Sequence, residues 1–164
     1  MNVVFISPHF PEYYHNFCSR LKDRGVNVLG VGDCPYDMIS DDTKNSLTEY
    51  YYVGSLENYD EVYRACAYFS SHYGKIDWIE SENEYWLELE ATLRRDFNVT
   101  TGPQIQDMRW MKFKSAMKEV YKSAGLKVAD YIKLDTLLVP PITVPVLKAW
   151  AITLISGTIR VVSF

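Results

Sequence analysis

The chain has 164 residues, 48% of them hydrophobic and 15% aromatic, enough apolar surface for one domain, or one domain and part of a second, to bury a core. Its net charge of −4 is spread over interleaved acids and bases with no basic stripe, which argues against a nucleic-acid partner, although local backbone donors can still hold a phosphate. The opening Met1-Asn2-Val3-Val4-Phe5 lacks a signal peptide's basic region and apolar run, and no stretch reaches the ~18 apolar residues of a membrane span. The cysteines Cys18, Cys34 and Cys66 are odd in number and show no Cys-x-x-Cys spacing, so a reduced, cytoplasmic protein is expected, with each cysteine a small packing residue.

Val3 to Ser7 is a short apolar run closed by Pro8 and reads as a buried strand. Glu12 to Arg24 reads as a helix: Phe17 and Leu21 stand four apart, Tyr14 and Cys18 share their face, and Gly25 is a C-terminal stop. Val26 to Val31 is a second strand, ending near Gly32. Tyr50 to Val53 is a third, rich in strand-favouring aromatics. Asn58 to Tyr73 carries Val62, Cys66, Phe69 and Tyr73 at helical spacing, with Gly74 as its cap. Ile76 to Ile79 is the fourth strand. Glu84 to Phe97 is a helix with Leu89 and Leu93 on one stripe, and Asn98 to Thr101 is a candidate fifth strand. Strands separated by helices of this length pair in parallel, because parallel pairing needs a long crossover. The expected fold class is α/β, an open Rossmann-like parallel sheet flanked by helices, with ligands beyond the carboxyl ends of the strands. The strand order is not legible.

The organisation changes at Gly102-Pro103. Gln104 to Trp110 reads as a short helix, and Lys112 to Ala124 as a clearer one, with Phe113, Met117, Val120 and Ala124 in a stripe and Gly125 as cap. Val128 to Leu134 alternates like an edge strand.

The first strand ends in Ser7-Pro8-His9-Phe10-Pro11, where His9 is either an acid–base or substrate group or an ordinary loop histidine. No Gly-x-Gly-x-x-Gly follows that strand, which counts against a nicotinamide or flavin dehydrogenase and against a glycosyltransferase half-domain. The second strand ends in Gly32-Asp33, whose acid could hold a ribose hydroxyl, a weak signal without the glycines. The fourth ends in Glu80-Ser81-Glu82-Asn83-Glu84. These acids could bind a substrate amine or a metal ion, or could favour the positive end of the next helix, with Ser81 or Asn83 as its cap. Glu80, Glu82 and Asn83 join His9 as substrate-binding candidates.

The run Thr101-Gly102-Pro103, a short helix, and Lys114-Ser115-Ala116-Met117-Lys118 through Ala124-Gly125-Leu126 resembles the ATP-grasp superfamily. Biotin carboxylase and the carboxylate–amine ligases share this order: an α/β domain closing at a Gly-Pro turn, a helix opening with a lysine and closing on Ala-Gly and a small apolar residue, then a strand. Glu80, Glu84-Tyr85-Trp86 and Leu93-Arg94 resemble that family's fourth strand and following helix. The resemblance covers about residues 1–134, and order and spacing carry it. It implies a pre-ATP-grasp domain over 1–103 and the incomplete start of the ATP-grasp domain over 104–134. It implies that Lys114, with Lys112 as its nearby alternative, contacts nucleotide phosphate. It further implies ATP and Mg2+ as cofactors of the full-length enzyme, and activation of a small-molecule carboxylate as an acyl phosphate for attack by an amine or similar nucleophile. The family's second lysine, glycine-rich flap and metal-binding acids lie beyond the matched stretch, so the chain is expected to be inactive alone.

Residues 135–164 depart from that pattern. Leu137-Leu138-Val139-Pro140-Pro141-Ile142-Thr143-Val144-Pro145-Val146 stands where a Val-Val-Lys-Pro-like strand is expected, and only Asp135, Lys148 and Arg160 carry charge. Synonymous codons for Pro141 to Val146, read one base early, can spell Asp-Asn-Gly-Pro-Gly, similar to a run that follows the phosphate lysine in many ATP-grasp ligases. Two accounts stay open. The tail is a frameshifted reading, or it is a natural apolar tail able to form one or two strands. Exposed apolar residues there would favour self-association, and a homodimer is an expectation on that ground. The alternative to the ligase reading is a stand-alone flavodoxin-like or receiver-like binding module without catalysis. A receiver would need an acid pair after the first strand, which Ser7-Pro8-His9 does not supply.

Overall fold

Strand and helix alternate from the first residues, as the apolar runs require. The computed structural model describes residues 1–130 throughout, and beyond them the backbone of three short strands within 132–133, 151–155 and 158–162. The chain divides into two units, Met1–Met108 and Arg109–Phe164.

The first unit runs β1 (Asn2–Ile6), α1 (His15–Lys22), β2 (Asn27–Gly32), α2 (Asp41–Ser46), β3 (Glu49–Tyr52), α3 (Tyr59–Tyr73), β4 (Trp78–Glu80) and α4 (Leu87–Asp96). The sheet order is β3-β2-β1-β4 and every pair is parallel, with Val4 opposite Leu29 and Ile79. The α/β parallel architecture expected from the sequence is therefore present. β1 is buried along its whole length because helices cover both faces of the sheet, which is why it reads as a continuous apolar run. Alternate residues feed two cores. Val4 and Ile6 meet Leu29, Val31, Val62, Cys66, Phe69 and Leu93 on one face, while Phe5 meets Tyr14, Cys18, Val28 and Leu47 on the other. Each large apolar side chain fully buried there stabilises by roughly 1.5–3 kcal/mol.

Polar contacts fix the strand starts. Asn2 donates from its side chain to the carbonyls of Tyr73 (2.8 Å) and Lys75 (2.9 Å), and its backbone N–H donates to Asp77 (2.8 Å). α2 was not read from the sequence because Asp41 to Ser46 holds no apolar residue and so no helical stripe. It forms because the Ser40 hydroxyl accepts the Thr43 N–H at 3.2 Å and Asp41 and Asp42 sit in the positive first turn.

The candidate strand at 98–101 is not a strand. Asn98 is left-handed (φ 53°), and the Val99 N–H returns to the Arg94 carbonyl at 2.8 Å, so the segment closes the end of α4. Gly102 follows at φ 75°. A Cβ there would also stand 3.0 Å from Arg94 Nε, so glycine suits both the backbone and the space.

α5 (Met108–Lys112) leads into the second unit, which holds α6 (Lys114–Ser123) and an antiparallel sheet of β5 (Ile132–Lys133), β6 (Ala151–Ile155) and β7 (Thr158–Val162) in the order β5-β7-β6. Ile132 pairs with Ile159 and Ile155 with Thr158. The expected strand over 128–134 is realised as Ile132–Lys133. Its residues Tyr131 and Leu134, and the Leu137–Val146 stretch, lie outside the described residues.

Candidate functional site

β1, β2 and β4 point their carboxyl ends the same way, so the segments after Ile6, Gly32 and Glu80 gather at one edge of the sheet. Two of these exits carry a non-glycine residue in the left-handed region, Ser7 at φ 57° and Glu82 at φ 56°. Such conformations cost on the order of 1 kcal/mol or more and tend to persist where the surroundings hold a functional shape. Ser7 is held by its hydroxyl, which donates to the Phe10 carbonyl at 3.2 Å, and by its N–H on the Val31 carbonyl at 2.8 Å. The loop after β4 is held from α1's side by the Tyr14 hydroxyl, which donates to the Glu82 carbonyl at 2.6 Å.

Between the exits lies a cleft of about 360 Å3, bounded by Ser7, His9, Phe10, Asp33, Leu56, Asn83, Tyr85 and Trp86. His9 Nε2 stands 3.5 Å from Asp33 Oδ1. Its Nδ1 is buried, has no hydrogen-bond partner among the described residues, and packs over Gly32, where a Cβ would come within 2.9 Å of it. Burial holds the His9 imidazole below its ordinary range, against the opposing pull of the Asp33 carboxylate. Asn83 Oδ1 accepts the Tyr85 N–H at 3.0 Å, so Asn83 caps the short turn Glu84–Trp86. Phe10 and Tyr85 are exposed, and Tyr85 donates to Glu57 at 2.6 Å.

The sequence candidates thus fall into three places. His9 and Asn83 share the cleft. Glu80 and Glu82 border a different hollow of about 590 Å3, largely apolar, with Phe17, Leu21 and Trp78 beside α1. Glu80 is engaged locally: it accepts from Trp78 Nε1 (3.3 Å) and from the N–H groups of Ser81 (3.2 Å) and Glu82 (3.3 Å), and lies 3.4 Å from Arg94. Burial and the Glu80 charge both push the Glu82 carboxyl up. Lys112 and Lys114 belong to the second unit, Lys112 at the end of α5 and Lys114 exposed at the start of α6.

Beneath the cleft lies a network built on Arg94, which the sequence offers only as part of the family resemblance, and on Glu90, which it does not mark. Arg94 is fully buried. It donates to the Ile79 carbonyl through Nε (3.1 Å) and Nη2, to the Pro103 carbonyl (2.8 Å) and to Glu90 Oε2 (3.0 Å). Glu90, also fully buried, accepts from the Ser81 hydroxyl, and Ser81 in turn accepts the Asn83 N–H at 3.1 Å. The chain of contacts runs from α4 through Ser81 to the cleft wall. Burial pushes the Glu90 carboxyl up to about 7, against the opposing effects of Ser81 and Arg94. The available signal was the four-residue spacing of Glu90 and Arg94, which alone marks a helical ion pair and not its depth.

Neither family models nor curated protein sequences give a match. Solved structures do. The chain is similar to an L-amino acid ligase from Bacillus licheniformis at 13% identity and a TM-score of 0.64, over 99% of this chain and 39% of that one. It is also similar to the biotin carboxylase domain of a thermophilic 2-oxoglutarate carboxylase bound to bicarbonate, at 18% identity and a TM-score of 0.51, over 79% and 29%. The chain therefore spans well under half the length of either. Both are ATP-grasp enzymes, and what the chain shares with them is the fold, in keeping with the open α/β sheet that the alternation of strands and helices predicts.

Proposed function

We propose that this chain is the N-terminal portion of an ATP-grasp ligase, which activates a small-molecule carboxylate as an acyl phosphate and passes the acyl group to an amine or similar nucleophile. The observation that carries the reading is the fold likeness to an L-amino acid ligase over 99% of the chain. The strand-end cleft lies where an open α/β sheet receives its small-molecule ligand. Lys114 suits a nucleotide phosphate: it is exposed at the first turn of α6, a turn without an acidic residue, so the helix's partial positive charge and the ammonium add. Among the described residues no group of three His, Cys, Asp or Glu is placed to hold a metal ion. No described helix is long and apolar enough to cross a membrane.

On this reading the chain contributes substrate positioning and one phosphate contact, and turnover needs further protein. The product of the whole reading frame forms ADP from Mg-ATP only when carboxylate and amine are both present, Lys114→Ala raises the KM for ATP, and residues 1–164 alone form none. Release of AMP and pyrophosphate instead would contradict the acyl-phosphate route. A second reading, a binding module without catalysis, draws on the described walls of the cleft all coming from residues 7–86. Cleft binding with no ADP formed by the longer product would favour it.

A further inference from the structure

The strand-end cleft mixes an aromatic wall with a few polar groups, and its charge has one sign. Phe10, Tyr85 and Trp86 present ring surface, while Asp33, His9 and Asn83 supply the polar side chains. Among the described residues that line the cleft, Asp33 is the one formal charge, since burial favours the neutral form of His9. The Asp33 side chain is 40% exposed, so its carboxylate is open to a ligand as well as to His9. The lining residue Tyr85 donates its hydroxyl to the carboxylate of Glu57. Among the described residues no lysine or arginine lines the cleft.

From these observations we infer that the cleft is an amine subsite, taking a protonated primary amine that carries an aromatic or bulky apolar group, and not a carboxylate or phosphate subsite. An ammonium placed against Asp33 gains a charge-assisted hydrogen bond, and the ring wall attracts it further through the aromatic quadrupole. A carboxylate in the same place would meet Asp33 with no cation to offset it. The inference rests on the ligase reading only for the amine's role as nucleophile. The acyl donor and nucleotide then belong elsewhere.

The test is a titration of residues 1–164 at pH 7.5, without nucleotide, following the imidazole proton signals of His9 by NMR. Only His15 and His72 share the spectrum. The probes are 2-phenylethylammonium and 3-phenylpropionate, similar in ring and length and opposite in charge. The inference predicts saturable His9 shifts with the ammonium, none with the carboxylate, and about a tenfold or greater loss of ammonium affinity in Asp33→Asn whose circular dichroism matches the parent. Equal or tighter carboxylate binding, no ammonium binding, or unchanged affinity in Asp33→Asn overturns it. Such a failure leaves the ligase reading standing, because ADP formation tests that reading separately. An amine-binding chain whose longer product forms no ADP keeps the subsite and loses the ligase.

Discussion

Replacing Arg94 by methionine should be the most damaging single change in the first unit. The guanidinium serves the Ile79 and Pro103 carbonyls and Glu90 Oε2, and lies 3.4 Å from Glu80. Methionine keeps much of the side-chain volume but supplies no donor, so two carbonyls and a fully buried carboxyl lose their partner together. Removing one member of a buried pair costs about 3–5 kcal/mol, a large share of the 5–15 kcal/mol that holds a typical domain together. The cost should be larger at pH 8 than at pH 5, because Glu90 can be protonated at the lower pH. Adding Glu90→Leu should recover about 1–3 kcal/mol, since the double variant no longer buries a lone carboxyl. Urea unfolding followed by tryptophan fluorescence measures this, with Trp78 and Trp86 reporting from this unit. A loss below about 1 kcal/mol for Arg94→Met, or a double variant no better than the single, would refute the view that this pair is a buried hub.

Three more changes follow from named contacts. Because the Glu90 carboxyl is raised from 4.5 to about 7, the folded state holds its proton where the unfolded state does not. This group's contribution is therefore full below pH 4.5 and lost as pH rises towards 7. Glu90→Gln should flatten that part of the stability–pH curve, and an unchanged slope would contradict it. Gly32→Ala would put a Cβ against the Tyr50 hydroxyl and 2.9 Å from His9 Nδ1, costing about 1–3 kcal/mol by thermal melting and shifting the His9 ring signals. Ser40→Ala removes the α2 cap and should cost about 1 kcal/mol by urea titration, with His9 unmoved.

The doubly covered strands were legible because burial on both faces forces continuous apolar runs such as Val3 to Ile6, and α3 because Val62, Cys66 and Phe69 mark one stripe. α2 was hidden because its buried residues, Thr43 and Ser46, are polar and its fold depends on a cap. Asn98 to Thr101 misled because Val99 is apolar for packing at the end of a helix and not for pairing. Strand order was illegible because each strand alone has the same character. His9, Asp33 and Asn83 could be found from the rule that loops after parallel strands build the site. That rule does not reveal which acids face the cleft. Glu80 reads like Asp33 in sequence, yet an arginine fourteen residues later, brought in by α4, draws it into a structural network. Depth, which turns Glu90 and Arg94 from a surface pair into a hub, comes only from packing.

The coding DNA from codon 130 through several hundred bases past codon 164 decides between a ligase fragment and a binding module. A ligase fragment requires a reading frame, in phase or shifted, that continues with a lysine-bearing strand, a glycine-rich flap and late Glu and Asn metal ligands. If no frame continues in that way, the chain is not part of an ATP-grasp ligase, and the binding-module reading takes its place.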